Sequence, residues 1–213
     1  MLDRMLRPVK ESVVSPLAVV LARRLHPNTI TIGAFAFGVV AFICLLQHEM
    51  LLCATFWLLG RLLDGLDGAV ARRSGKQSDL GGYLDMLLDV IAYALIPLGM
   101  ALAFPSPAVF VAVAVLLAVF YVNIASWLYL SALMEKRKRG DEYAATTSLF
   151  MPSGLIEGTE TIVFYTLFIA FPGVFVVLAY AMAAMTTITV AQRLVWALRT
   201  LTVPAAPPGS RAE

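Results

Sequence analysis

Six stretches of mainly apolar residues, 29–47, 50–71, 80–103, 107–134, 154–172 and 174–198, dominate this 213-residue chain. Each is close to the roughly 20 residues that an α-helix needs to cross a bilayer. Inside hydrocarbon every backbone N–H and C=O must be satisfied within the protein, so such stretches can only become helices. Turn signals separate several of them: Phe104, Pro105, Ser106 and Pro107 after the third, and Phe171, Pro172 and Gly173 after the fifth. Charged residues make up 14% of the chain against 60% hydrophobic, whereas a soluble domain carries about 25% charged residues. The expected fold is therefore an all-α integral membrane protein with six transmembrane helices.

The positive charges give these spans a direction. Arg4, Arg7, Lys10, Arg23 and Arg24 precede the first span. Arg72, Arg73 and Lys76 follow the second, Lys136, Arg137, Lys138 and Arg139 follow the fourth, and Arg199 follows the sixth. In a six-span topology all of them fall on one side, and the opposite connectors hold no Lys or Arg. The positive-inside rule then puts both termini in the cytoplasm. Arg61 and Arg193 fall within or near the bilayer and need local partners.

Residues 1–25 have a different pattern. Leu2, Met5, Leu6, Val9, Val13 and Val14 alternate with Arg4, Arg7, Lys10 and Glu11 at helical spacing. An amphipathic helix lying on the membrane surface is expected there, with a bend or restart at Pro16. The start lacks the continuous apolar core of a cleavable signal peptide. Residues 204–213, rich in Pro and Ala, read as a disordered tail beyond a single membrane domain spanning 1–203. Cys44 and Cys53 have no metal-ligand spacing and read as buried small hydrophobes.

Against this apolar background stand four carboxylates, Asp64, Asp67, Asp85 and Asp89. An uncompensated carboxylate costs about 2.5–3.5 kcal/mol at the centre of a membrane helix. The first two are spaced i, i+3 and the second two i, i+4, so each pair shares one helix face. Two such faces side by side present four oxygen ligands, which suit Mg²⁺ or Mn²⁺. Gly65, Gly68, Ala71, Gly81 and Gly82 keep the surroundings thin, and Arg72 is spaced one turn beyond Gly68, ready for a phosphate oxygen. Asp79 reads as the N-cap of the third span.

The eight residues Asp64, Asp67, Gly68, Ala71, Arg72, Gly81, Asp85 and Asp89 follow the pattern D-x2-D-G-x2-A-R-x8-G-x3-D-x3-D. The stretch resembles the signature of the CDP-alcohol phosphatidyltransferases, and the topology and leader agree with that family's fold. A weaker echo is His26-Pro27-Asn28-Thr29-Ile30-Thr31, similar to segments bordering the family's nucleotide site. Its alternative is a plain helix start capped by Asn28 or Thr29.

The resemblance implies transfer of a substituted phosphate from a CDP-linked donor, most often CDP-diacylglycerol, to an alcohol, with release of CMP. It implies Asp64, Asp67, Asp85 and Asp89 as ligands of two Mg²⁺ or Mn²⁺ ions, and Asp89 also as general base. It implies that Pro27, Thr31, Gly68, Ala71, Arg72 and Gly81 border the CDP site together with Asp64 and Asp67. A homodimer in a bacterial-type inner membrane, with its site at the cytoplasmic face, is a further implication, and nothing points to nucleic acid. A CDP-linked head group with a lipid alcohol acceptor is the alternative chemistry. A transporter and a non-catalytic lipid-binding protein are the alternative classes.

The fifth span opens with Glu157, Gly158, Thr159 and Glu160. Two acids here need a polar cavity or a base, and two readings stand. Either they pair with Arg61 or Arg193, or Glu157, Thr159 and Glu160 line the acceptor pocket. Acids and threonines, where relatives with phosphorylated acceptors carry arginines, point to an unphosphorylated or cationic alcohol.

Overall fold

The computed structural model describes residues 25–138 and 154–202, together with Ala18, Val19 and Leu21. These residues form α1 (Pro27–Leu46), α2 (Met50–Ser74), α3 (Asp79–Ala103), α4 (Pro107–Lys138), α5 (Gly158–Ala170) and α6 (Phe175–Leu201), with a 3-10 turn, Pro172–Val174, leading into α6. Among the described residues there is no strand. The amphipathic leader and the tail expected from the sequence lie almost wholly outside the described residues. Of the leader's few described residues, Ala18 is buried with Ile30, Leu66 and Val70, and Leu21 packs against the same cluster.

Among the described residues four helices are long and apolar enough to cross a membrane: α1, α3, α4, and α6 with its leading turn. The other two differ for distinct reasons. α2 has the length, but it carries Arg61, Asp64, Asp67, Arg72 and Arg73 from its middle to its end. α5 has 13 residues, about 20 Å at 1.5 Å per residue, which is short of a bilayer core. Residues 154–157, assigned to the fifth span by composition, are not helical. Thr189 on α6 draws that segment down by accepting from the amides of Leu155 (3.1 Å) and Ile156 (3.0 Å).

The helix boundaries shift for local reasons. His26, rather than Asn28 or Thr29, caps α1: its Nδ1 accepts from the Asn28 amide at 3.3 Å, and Pro27 takes the first helical position. Ser78, rather than Asp79, caps α3, its Oγ accepting from the Gly81 amide at 3.1 Å. Gly75, at φ 66°, ends α2 in the left-handed conformation that glycine adopts without strain. At the other end of α2, residues 47–49 make the tight turn from α1, with His48 also at positive φ (60°) and edge-on to Phe104.

α1 packs on α2 and α3, α2 touches α5, and α4 packs on α6. Small residues let α1 and α2 come close. A β-carbon on Gly60 would stand 3.1 Å from the Ala34 carbonyl oxygen. The centre is aromatic. Trp57 stacks on Tyr165 (centroids 5.1 Å apart), Tyr93 meets both edge-on, and the Tyr165 hydroxyl donates to the Tyr93 carbonyl at 2.7 Å. Cys44 and Cys53 are both free and buried.

Candidate functional site

The motif end of α2 and the first three turns of α3 carry the aspartates. Asp67 is the most enclosed, 4% exposed, and Asp64 and Asp89 are half-buried. The four carboxylates lie within one another's electrostatic reach: Asp64 with Asp89 and Asp85, Asp67 with Asp64, and Asp85 with Asp67 and Asp89. Four like charges gathered in a poorly solvated place repel one another, and the arrangement is unfavourable without cations.

Three groups meet this charge, one of them the Gly68 amide, which donates to Asp67 Oδ1 at 2.5 Å. The Thr31 hydroxyl donates to Asp67 Oδ2 at 2.6 Å. Arg61, one turn before Asp64, places its guanidinium Nη1 against Asp89 Oδ1 and 3.7 Å from Asp64 Oδ2. One guanidinium offsets one of four charges. The remaining donor set is all carboxylate and hydroxyl oxygen, so it fits hard divalent cations. Among the described residues no three His, Cys, Asp or Glu side chains already form a cation cage. The reason is visible: Asp67 is turned to Thr31, and Asp89 to Arg61.

The segment 27–31 touches the signature at two points. Besides the hydrogen bond from Thr31, Asn28 Oδ1 lies 3.1 Å from where a β-carbon on Gly81 would stand, so a side chain there would crowd Asn28. Pro27 and Thr31 are both buried. Arg72 is exposed and folds back along its helix, with Nη1 3.3 Å from a β-carbon built on Gly68. Thus Pro27, Thr31, Asp64, Asp67, Gly68, Ala71, Arg72, Gly81, Asp85 and Asp89 belong to the neighbouring starts of α1 and α3 and the end of α2.

Glu157 and Glu160 have a local role at the start of α5. Together they form a capping box at the start of α5: the Glu157 side chain accepts from the Glu160 amide, and Glu160 Oε2 accepts from the Glu157 amide at 3.3 Å. Glu157 Oε1 also accepts from the Gly154 amide at 3.1 Å. Thr159 and Glu160 are buried. The two arginines offered as their partners point elsewhere, Arg61 to Asp64 and Asp89, and Arg193 to Asn123 Oδ1 (2.9 Å) and Ser126 Oγ (2.7 Å) on α4.

Sequence reasoning missed the hydrogen bond between Thr31 and Asp67, which spans 36 residues, and the setting of Arg61. The i, i+3 spacing from Arg61 to Asp64 was a usable signal for the second. Of the aromatic platform beneath Arg61, Trp57 had a signal in its i, i+4 spacing on α2, whereas Tyr93, on α3, had none.

Known proteins resemble this chain in sequence and in fold. Inner membrane protein YnjF of Escherichia coli (strain K12) is 39% identical over 176 residues, covering 82% of this chain and 84% of YnjF. The crystal structure of Mycobacterium tuberculosis phosphatidylinositol phosphate synthase in complex with manganese and citrate superposes with a TM-score of 0.63 at 25% identity, covering 94% of this chain and 92% of that one. The same enzyme with CDP-DAG bound gives a TM-score of 0.64 at 24% identity, over 95% and 98% of the two chains, a likeness of fold. The family model of CDP-alcohol phosphatidyltransferase matches residues 24–189, from just before α1 to the Thr189 contact on α6. The chain belongs to the CDP-alcohol phosphatidyltransferase family.

Proposed function

We propose that this protein transfers a phosphatidyl group from CDP-diacylglycerol to an alcohol hydroxyl, releasing CMP, with Mg²⁺ or Mn²⁺ as cofactor. The observation that carries the proposal is the gathering of the four signature aspartates of α2 and α3, with Thr31 of α1 hydrogen-bonded to Asp67. Asp64, Asp67, Asp85 and Asp89 would hold two ions. When bound, these supply Lewis-acid neutralisation of the diphosphate and of the leaving CMP.

The chain's own residues do the rest. Thr31 fixes the Asp67 carboxylate. Gly68, Ala71 and Gly81 leave room for the diphosphate and nucleotide, Pro27 borders them, and Arg72 reaches a phosphate oxygen. Asp89 receives the acceptor's proton as the new oxygen–phosphorus bond forms and the bond to CMP breaks. Glu157, Thr159 and Glu160 border the acceptor, which we take to be an unphosphorylated or cationic alcohol; the capping box holds the two acids in one geometry for that purpose.

The same reading places the active site at the cytoplasmic face. It takes α2 and α5 as spans alongside the four apolar helices, both termini as cytoplasmic, residues 1–203 as one domain with 204–213 as its tail, and the functional unit as a homodimer. Exposed Arg72, Arg73 and Lys76 at the signature end of α2 support the orientation. A lipid donor then keeps its acyl chains in the bilayer while its nucleotide meets the aspartates.

The test is CMP release by purified protein given CDP-diacylglycerol, Mn²⁺ or Mg²⁺, and a panel of alcohols. Release that depends on one alcohol supports the reading, and none with any alcohol overturns it. Preference for glycerol 3-phosphate would overturn the acceptor class alone.

A further inference from the structure

Arg61 stands outside the eight-residue signature, yet its guanidinium is built into the carboxylate cluster. The residue is 7% exposed. Its Nη1 meets Asp64 and Asp89, and its Cζ lies 5.0 Å from the Trp57 ring centroid and 4.8 Å from that of Tyr93. That platform is itself fixed, by stacking of Trp57 on Tyr165 and by the hydrogen bond from Tyr165 to the Tyr93 backbone. A planar, delocalised cation set over two rings is held in place in a way that a flexible ammonium is not.

The consequence is a competition. Arg61 occupies Asp89 Oδ1 and faces Asp64, two of the carboxylates read above as metal ligands. A cation entering the cluster must take those oxygens from Arg61, against a like charge that its aromatic seat keeps nearby. Arg61 Nε is buried without a hydrogen-bond partner, so the guanidinium is invested in its Asp and aromatic contacts.

We propose that Arg61 is a resident counter-cation: a positioning residue that holds Asp64 and Asp89 in the metal-free protein and weakens divalent-cation binding by competing for the same carboxylates. This rests on the reading of the aspartates as metal ligands.

The experiment compares wild type, Arg61→Gln and Arg61→Lys in Mn²⁺ titrations, following free Mn²⁺ by electron paramagnetic resonance and unfolding by thermal melt. Arg61→Gln should lower Tm without metal, bind Mn²⁺ roughly tenfold more tightly, and recover most of its lost Tm at saturating Mn²⁺. Arg61→Lys, which keeps the charge, should stay within about threefold of wild-type affinity. A merely structural role would lower Tm without tightening Mn²⁺ binding, so equal or weaker affinity in Arg61→Gln overturns the proposal. Should that variant not fold without metal, it is prepared in Mn²⁺: folding that is lost on chelation supports the proposal, and failure in both conditions overturns it. A wild type without saturable Mn²⁺ binding overturns the reading of the aspartates, and this proposal with it.

Discussion

Thr31 Oγ1 donates to Asp67 Oδ2 at 2.6 Å, joining the first turns of α1 to the buried aspartate of α2. Such charge-assisted hydrogen bonds are short and about twice as strong as neutral ones. Thr31→Val keeps the shape and removes the donor, leaving Asp67 with one fewer partner. We expect a loss of about 1.5–3 kcal/mol in stability and a fall of roughly tenfold in the rate of CMP release if Asp67 loses its orientation. Thr31→Ser should retain most of both. Melting curves and the CMP assay on the two variants check this.

Removing metal tests the cluster as a whole. The four carboxylates repel one another, and Arg61 offsets one charge. Chelation should therefore abolish CMP release and lower Tm, and added Mn²⁺ should restore both. Asp89→Asn should cut CMP release by at least about 100-fold, as loss of a positioned base does. It should still fold, because Arg61 keeps Asp64 and its aromatic seat. Unchanged turnover would remove Asp89 as the base.

The chain disclosed its site more readily than its helix ends. The aspartates were legible because charge is costly in apolar sequence, and their i, i+3 and i, i+4 spacings fix a shared face. Long apolar runs made α1, α3, α4 and α6 equally plain. The start of α5 was not legible. Residues 154–156 look like more span by composition, but Thr189, more than 30 residues away, captures two of their amides. Ser78 capping in place of Asp79 is a one-residue choice between two good caps. The seat of Arg61 is half local, since Trp57 stands i, i+4 from it, but Tyr93 joins from another helix, which no local pattern announces.

The capping box at α5 separates two roles for its acids. Glu157→Ala removes the acceptor for the Glu160 and Gly154 amides, and should cost about 1 kcal/mol. Glu160→Gln preserves the box, since glutamine serves at that position as well as glutamate. Its Tm should stay near wild type while KM for the acceptor alcohol rises, if the negative charge helps to hold that alcohol. Unchanged kinetics in Glu160→Gln would leave the pair with its structural role alone.

Gly60 and Gly33 should respond oppositely to an added side chain. Gly60 lies where α2 meets α1, its missing β-carbon 3.1 Å from the Ala34 carbonyl oxygen and 3.4 Å from Phe37 Cβ. A backbone carbonyl inside a helix cannot swing aside, so Gly60→Val must push the helices apart. Overpacking of this kind costs about 1–3 kcal/mol. It also acts at a distance, because the same helix pair sets the gap between Thr31 and Asp67. CMP release should therefore fall along with Tm. Gly33 has nothing within 4 Å of its missing β-carbon and sits inside α1. Gly33→Ala should leave activity unchanged and raise stability by about 0.5–1 kcal/mol, since alanine loses less backbone freedom on folding. Thermal melts of the two variants decide it: a loss at Gly33 or none at Gly60 would mean that the spacing of α1 and α2 is set elsewhere.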